Sequence, residues 1–239
     1  MLQIYNLNVG YKDKLLLEKP FSAEFPYGNF ISLIGRNGSG KSTFLRQIAG
    51  LVKTAKNTLF IEDKDYADFS RLELAKKISW AGTDNRTFES LSVFEFVALG
   101  RHPYLDWGGF LTQFDKDIIE NSIQKLNIGN LSGKFLSACS DGEKQSALMA
   151  RILAQNTNVV LLDEITAHLD FVHRKKSFEL LKLLSKKENK LIILATHEID
   201  LSLKFSDEIL LFHNKNIQRF KTSDPERSEI LSSVFEGFS

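Results

Sequence analysis

The chain has a single cysteine, Cys139, among 239 residues. A lone thiol has no partner for an internal disulfide, and such usage fits a reducing cytoplasm. An excess of either charge is missing as well. With 31 basic and 30 acidic residues, the formal net charge is +1, which argues against a nucleic-acid binder that relies on a dominant positive field. Apolar runs are short: those at 159–162 and Leu191–Ala195 fall far below the roughly 18–20 residues that span a bilayer. Residues 1–6 lack the basic start and apolar core of a secretory signal, so a role at a membrane is expected only through a partner. No internal repeat, low-complexity tract or Pro/Gly/Ser-rich linker divides the chain. The length suits one sizeable core, or a core with an inserted subdomain.

What is present reads as α/β. Short strands are expected at Leu2–Leu7, Phe21–Phe25 and 30–34, a helix at 41–49 stopped by Gly50, and a strand at 57–61. Residues 87–155 turn helical, with helices at 93–99, 116–126 and 143–154 and a loop at 102–109. Strands at 159–162 and Leu191–Ala195 flank a helix at 174–185, and 208–212 pairs with 217–220 across 213–216. Uninterrupted apolar strands imply a parallel sheet covered on both faces. The helical block then reads as an insertion into that core.

Gly35-Arg36-Asn37-Gly38-Ser39-Gly40-Lys41-Ser42 matches the phosphate-binding loop pattern G-x-x-x-x-G-K-[ST], placed between an expected strand and helix. The glycines let backbone N–H groups curl towards phosphate oxygens. Lys41 supplies charge to the β- and γ-phosphates, Ser42 a hydroxyl for Mg²⁺, and the helix N-terminus its positive end. The strand at 159–162 ends in Asp163-Glu164. Such an end suits Asp163 to hold Mg²⁺ through water and Glu164 to polarise the attacking water. The strand Leu191–Ala195 ends in Thr196-His197-Glu198. Parallel strands present their carboxyl ends to a ligand, so both ends converge on the phosphate site.

In order and spacing these motifs resemble the ABC ATPase superfamily along nearly the whole chain. The resemblance implies a P-loop NTPase fold: a RecA-like core with an antiparallel β subdomain, and a helical subdomain inserted at 87–155 of a single 1–239 domain. Tyr11 matches the adenine-stacking aromatic, Gly35 to Thr43 the Walker A segment, and Asp163 and Glu164 Walker B with its catalytic glutamate. His197 matches the switch histidine that contacts the γ-phosphate. Thr166-Ala167-His168-Leu169-Asp170 resembles the D-loop, with Asp170 crossing to a second subunit.

Two positions depart from the family. The signature Leu-Ser-Gly-Gly-Gln falls on Cys139-Ser140-Asp141-Gly142-Glu143, which keeps only Ser140 and Gly142. A hydroxyl and N–H groups at a helix N-terminus are thereby retained, and Ser140 with Glu143 has capping-box spacing. Asp141 and Glu143, however, are expected to bring carboxylates towards a polyanion and weaken closure. The Q-loop glutamine, a metal-facing position, falls on Thr83.

Gly100-Arg101-His102-Pro103-Tyr104, then Asp106-Trp107-Gly108-Gly109 and Asp115, resemble ATPases of iron–siderophore, haem and cobalamin importers. That resemblance implies a homodimer sandwiching ATP and Mg²⁺, on the inner face of the cell membrane. Residues 83–110 would receive a membrane permease, with no nucleic acid and no direct cargo contact. The altered signature and Thr83 keep open a regulatory or weakly active ATPase, and a soluble non-transport ATPase is the other alternative.

Overall fold

The computed structural model describes residues 1–11, 14–82, 88–167 and 169–225. Its centre is a six-stranded sheet. The apolar runs form β5 (Phe30–Gly35), β9 (Val159–Asp163) and β10 (Leu191–Ala195), and all of their residues but Gly35 are buried. Burial on both faces is what makes these strands apolar throughout rather than alternating. With β8 (Ile78–Gly82), β11 (Glu208–His213) and β12 (Asn216–Lys221), the order is β12-β11-β5-β10-β9-β8. Neighbours are parallel except the β11–β12 hairpin. That hairpin turns on Asn214 and Lys215, both at positive φ, as a two-residue turn matched to strand twist requires.

Because successive side chains point to opposite faces, each strand feeds two cores. Ile31, Leu33, Leu161 and Ile193 pack with Phe44, Leu45 and Ile48 of α1 (Lys41–Ile48). The same core takes in an antiparallel sheet of β4 (Phe21–Phe25), β1 (Leu2–Leu7), β6 (Leu59–Ile61) and β7 (Lys64–Asp65), in that order. A two-stranded ribbon, β2 (Gly10–Tyr11) with β3 (Lys14–Leu15), leads towards the functional loop. On the other face, Phe30, Val160, Leu162 and Leu194 meet Phe178, Leu181 and Leu184 of α6 (Phe171–Lys187). They share that core with α3 (Val93–Ala98), α4 (Gln113–Lys125) and α5 (Asp141–Gln155). The helical block therefore packs continuously with the sheet.

Local chemistry corrects several expected boundaries. Helix α4 starts three residues before the expected 116, because Thr112 caps it in a capping box with Asp115. Helix α6 starts at Phe171 rather than 174, on the Asp170 cap. Edge strand β8, with α2 (Arg71–Ala75) and α7 (Ile199–Phe205), was not expected at all. The loop expected at 102–109 is in its first part a 3₁₀ helix, Leu99–Tyr104.

That 3₁₀ segment staples the end of α5. Arg101 donates to Asp115 Oδ1 at 2.9 Å and to the Ala154 carbonyl at 2.9 Å, and Tyr104 donates to the Gln155 carbonyl at 2.9 Å. Gly100 lets the backbones meet: a Cβ there would lie 2.4 Å from the Arg151 carbonyl oxygen and 3.0 Å from Gln155 N. Both obstacles are backbone, so neither can rotate away. Gly100→Ala is expected to destabilise the fold by about 2 kcal/mol, as overpacking does. Thermal unfolding should then show a Tm lowered by about 4–8 °C for a chain of this size.

Candidate functional site

Strand β5 ends at Gly35, where the chain comes close to β11: a Cβ would sit 2.6 Å from the Phe212 carbonyl oxygen. The loop then turns through Gly38 (φ 77) and Gly40 (φ 108), both in the left-handed region that glycine enters without strain. Helix α1 begins directly after Gly40, with no side-chain cap and no acidic residue in its first turn. Its N-terminal N–H groups and positive dipole end are thus left for an anion.

Lys41 is buried and folds back over the loop, donating to the Gly35 carbonyl at 2.7 Å and the Arg36 carbonyl at 3.1 Å. Its Nζ lies 3.8 Å from Glu164 Oε1. Burial pulls the Lys41 ammonium below its ordinary pKa, opposed by the charges of Glu164 and Asp163. Ser42 Oγ donates to Asp163 Oδ1 at 2.9 Å. Burial lifts the Asp163 carboxyl above its ordinary range; Ser42's hydrogen bond opposes this, and the charge of Glu164 adds to it.

Glu164 stands at φ 53, a left-handed conformation uncommon for a non-glycine residue. Its N–H is tied to the Ala195 carbonyl at 3.0 Å, and its Oε1 lies 3.0 Å from His197 Nε2. The adjacent ends of β9 and β10 therefore hold Glu164 and His197 together, over Lys41. Strain of this kind persists where surrounding bonds over-determine it, as at functional sites. Tyr11, half exposed, sets its hydroxyl against Thr43 and Arg46, whose hydrogen bonds draw its pKa down.

A cavity of about 310 Å³ is lined by Leu16, the loop residues Asn37, Gly38, Ser39, Gly40, Lys41, Ser42 and Thr43, and Glu164. Ser39 Oγ is buried there with no hydrogen-bond partner, a donor suited to a ligand oxygen. Among the described residues, no cluster of three or more His, Cys, Asp or Glu could hold a metal ion. The Ser42–Asp163 pair does fit a hard divalent ion whose remaining ligands are phosphate and water oxygens.

Ser140, Gly142, Glu143 and Asp170 do not line this cavity; they gather at a second place. Ser140 caps α5, accepting from Glu143 N. The Glu143 carboxylate turns back, taking the Ser140 N–H at 2.8 Å and the Lys134 ammonium at 2.8 Å. Lys134 and the capping N–H draw its pKa down. Of the two carboxylates expected to face a polyanion, then, Glu143 is already engaged, and Asp141 remains exposed. Asp170 caps α6 and holds His173. Arg174, next along, pairs with Glu198, the neighbour of His197. His173 and Arg174 escaped the sequence reading, since contacts to Gly142 and Glu198 leave no local pattern. Thr83 and His168 lie outside the described residues.

A phosphate loop between a parallel strand and a helix, with acidic and histidine strand ends above it, defines a P-loop NTPase. The sequence profile of the ABC transporter family matches residues 19–167, and the chain belongs to that family as an ATP-binding, ATP-hydrolysing subunit. It is 36% identical to an uncharacterized ABC transporter ATP-binding protein of Methanocaldococcus jannaschii, over 99% of this chain and 81% of that one. It is 32% identical to the petrobactin import ATP-binding protein FatE of Bacillus anthracis, over 99% and 94%. Among solved structures, a nucleotide-free ATP-binding cassette superposes with a TM-score of 0.86 at 20% identity, covering 100% of this chain and 98% of that one. A dimeric bacterial ABC transporter cassette gives 0.78 at 23%, covering 94% and 100%.

Proposed function

We propose that this subunit works as a homodimer sandwiching two ATP–Mg²⁺ and drives a separate membrane permease that imports an iron–siderophore or a related metal chelate. The observation that carries the hydrolytic part of this reading is the Glu164–His197 contact of 3.0 Å held over Lys41 and the Ser42–Asp163 pair. Loop N–H groups, Ser39 and Lys41 bind the phosphates, Tyr11 packs on the base, and Ser42 with Asp163 holds the metal. Mg²⁺ arriving with ATP supplies charge neutralisation at the phosphate oxygens. Glu164 takes the proton of the water that attacks the γ-phosphorus as ADP leaves, and His197 orients Glu164.

The dimer is supported by the separation of the two residue groups. Asp163 and His197 are bonded to the cavity's Ser42 and Glu164, whereas Ser140, Gly142 and Asp170 neither line the cavity nor bond to its lining, so a second copy is what would bring that set to the nucleotide. A related cassette is itself dimeric. For the import reading, support comes from relatives named for petrobactin import. No helix among the described residues is long and apolar enough to cross a membrane. Contact with a permease on the cytoplasmic face falls to residues 83–110, where Leu99, Trp107 and Phe110 are exposed as an apolar anchor for a partner.

The test is steady-state Mg²⁺–ATP hydrolysis across a range of protein concentrations. If two subunits build each site, the rate per subunit climbs with concentration and then levels off. A rate per subunit that stays flat while light scattering reports monomer would sink the sandwich.

A further inference from the structure

The histidine on the first turn of α6 sits between the two elements that the composite site needs together. His173 Nδ1 lies 2.9 Å from both carboxylate oxygens of Asp170, and the Asp170 carboxylate also accepts the His173 N–H at 2.9 Å. Asp170 accepts only, so the ring proton sits on Nδ1. The other edge of the ring faces the start of α5. A Cβ placed on Gly142 would meet His173 Nε2 at 3.0 Å, Cδ2 at 3.1 Å and Cε1 at 3.5 Å.

Gly142 is a helix residue and has no positive φ, so its backbone does not require glycine. Glycine inside a helix is unfavourable relative to alanine. What its missing side chain provides is room for the His173 ring. Arg174, the next residue, is held by Glu198, which anchors this turn of α6 to the strand end carrying His197.

We propose that His173 is a positioning residue that locks Asp170 and the Ser140–Gly142 helix start into one unit, so that both reach the partner's nucleotide in register. This rests on the composite-site reading above. Without the ring, each element keeps its own cap, since Ser140 still accepts from Glu143 N and Asp170 remains at the start of α6. What is lost is their mutual placement.

The experiment uses the full chain carrying Glu164→Gln, with Mg²⁺–ATP, and reads the dimer dissociation constant by sedimentation and ATP affinity by a fluorescent analogue. Added His173→Ala is expected to weaken dimerisation about tenfold, within the range of coupling between contacting residues, and to leave monomer ATP affinity unchanged. His173→Asn keeps an amide donor for Asp170 but lacks the ring edge that meets Gly142, and should recover little of the loss. Gly142→Ala alone should weaken dimerisation through its clash with the ring. Combined with His173→Ala it should do less harm than the two effects multiplied. Dimerisation of the His173→Ala protein equal to its parent's, or effects of the pair that simply multiply, would overturn the inference. A parent that stays monomeric with ATP would overturn the composite site and this inference with it.

Discussion

Glu164→Gln is expected to bind ATP as wild type does, to release phosphate at least about a hundredfold more slowly, and to accumulate as a dimer. Glutamine has the same shape and keeps an oxygen to face His197 Nε2, now 3.0 Å from Glu164 Oε1. It cannot accept the proton of an attacking water, and a positioned general base contributes roughly 10²–10⁴-fold to such a step. Lys41, 3.8 Å from the same carboxylate, loses a counter-charge in the free protein but regains one from phosphate. Binding is therefore spared while chemistry is not. If closure depends on bound ATP and opening on hydrolysis, the closed dimer collects. Phosphate release and light scattering on one sample check both halves. Turnover close to wild type would place the base elsewhere, and loss of ATP binding would show that the Lys41–Glu164 pair holds the loop open.

The cavity half of this site was legible because its chemistry is local. Gly40 at φ 108 and Gly38 at φ 77 occupy positions that only glycine takes easily, and Lys41 follows at the helix start. The run Val-Val-Leu-Leu before Asp163 reads as a strand because both faces are buried. Strand β8 reads poorly: it is an edge strand, and its Ser79 and Gly82 break the apolar run that marks the inner strands. The start of α4 was missed because the capping box of Thr112 and Asp115 went unread, whereas that of α5 was found within two residues where the box was read, at Ser140 and Glu143.

The second half of the site is a matter of tertiary contact. Nothing in the spelling Ser140-Asp141-Gly142-Glu143 says that Lys134 takes up the Glu143 charge. Nor does it say that His173 fills the space beside Gly142. The same carboxylate that looked hostile to a polyanion is, in the fold, a helix cap with its own cation. An unusual signature can therefore coexist with closure, since only the exposed Asp141 carboxylate remains without that arrangement.

Asp163→Asn should abolish turnover and yet raise the melting temperature. The Asp163 carboxyl is buried at the end of β9, and burial pushes its pKa above the usual carboxylate range against the donated bond from Ser42, with the Glu164 charge pushing the same way. The native chain therefore holds this proton more tightly than the unfolded chain does. By linkage, the group's contribution to stability is most favourable below its unfolded pKa and is lost as pH rises through the raised native value. At neutral pH the ionised carboxylate is a net cost to the fold. Asparagine removes the charge, and its amide can still pair with the Ser42 hydroxyl. Relief of such functional-site strain commonly gives about 1 kcal/mol, or a Tm higher by roughly 2–4 °C for a chain of this size. The gain should be full at pH 7–8 and shrink as the pH falls through the raised range in which wild-type Asp163 takes up its proton. Hydrolysis should fall at least about a hundredfold, because Ser42 alone is a weak anchor for the divalent ion. Thermal unfolding at several pH values, beside phosphate release, tests both claims. A lower Tm for the variant at neutral pH would mean that the Ser42 bond outweighs the burial penalty, and that Asp163 supports the fold as well as the metal.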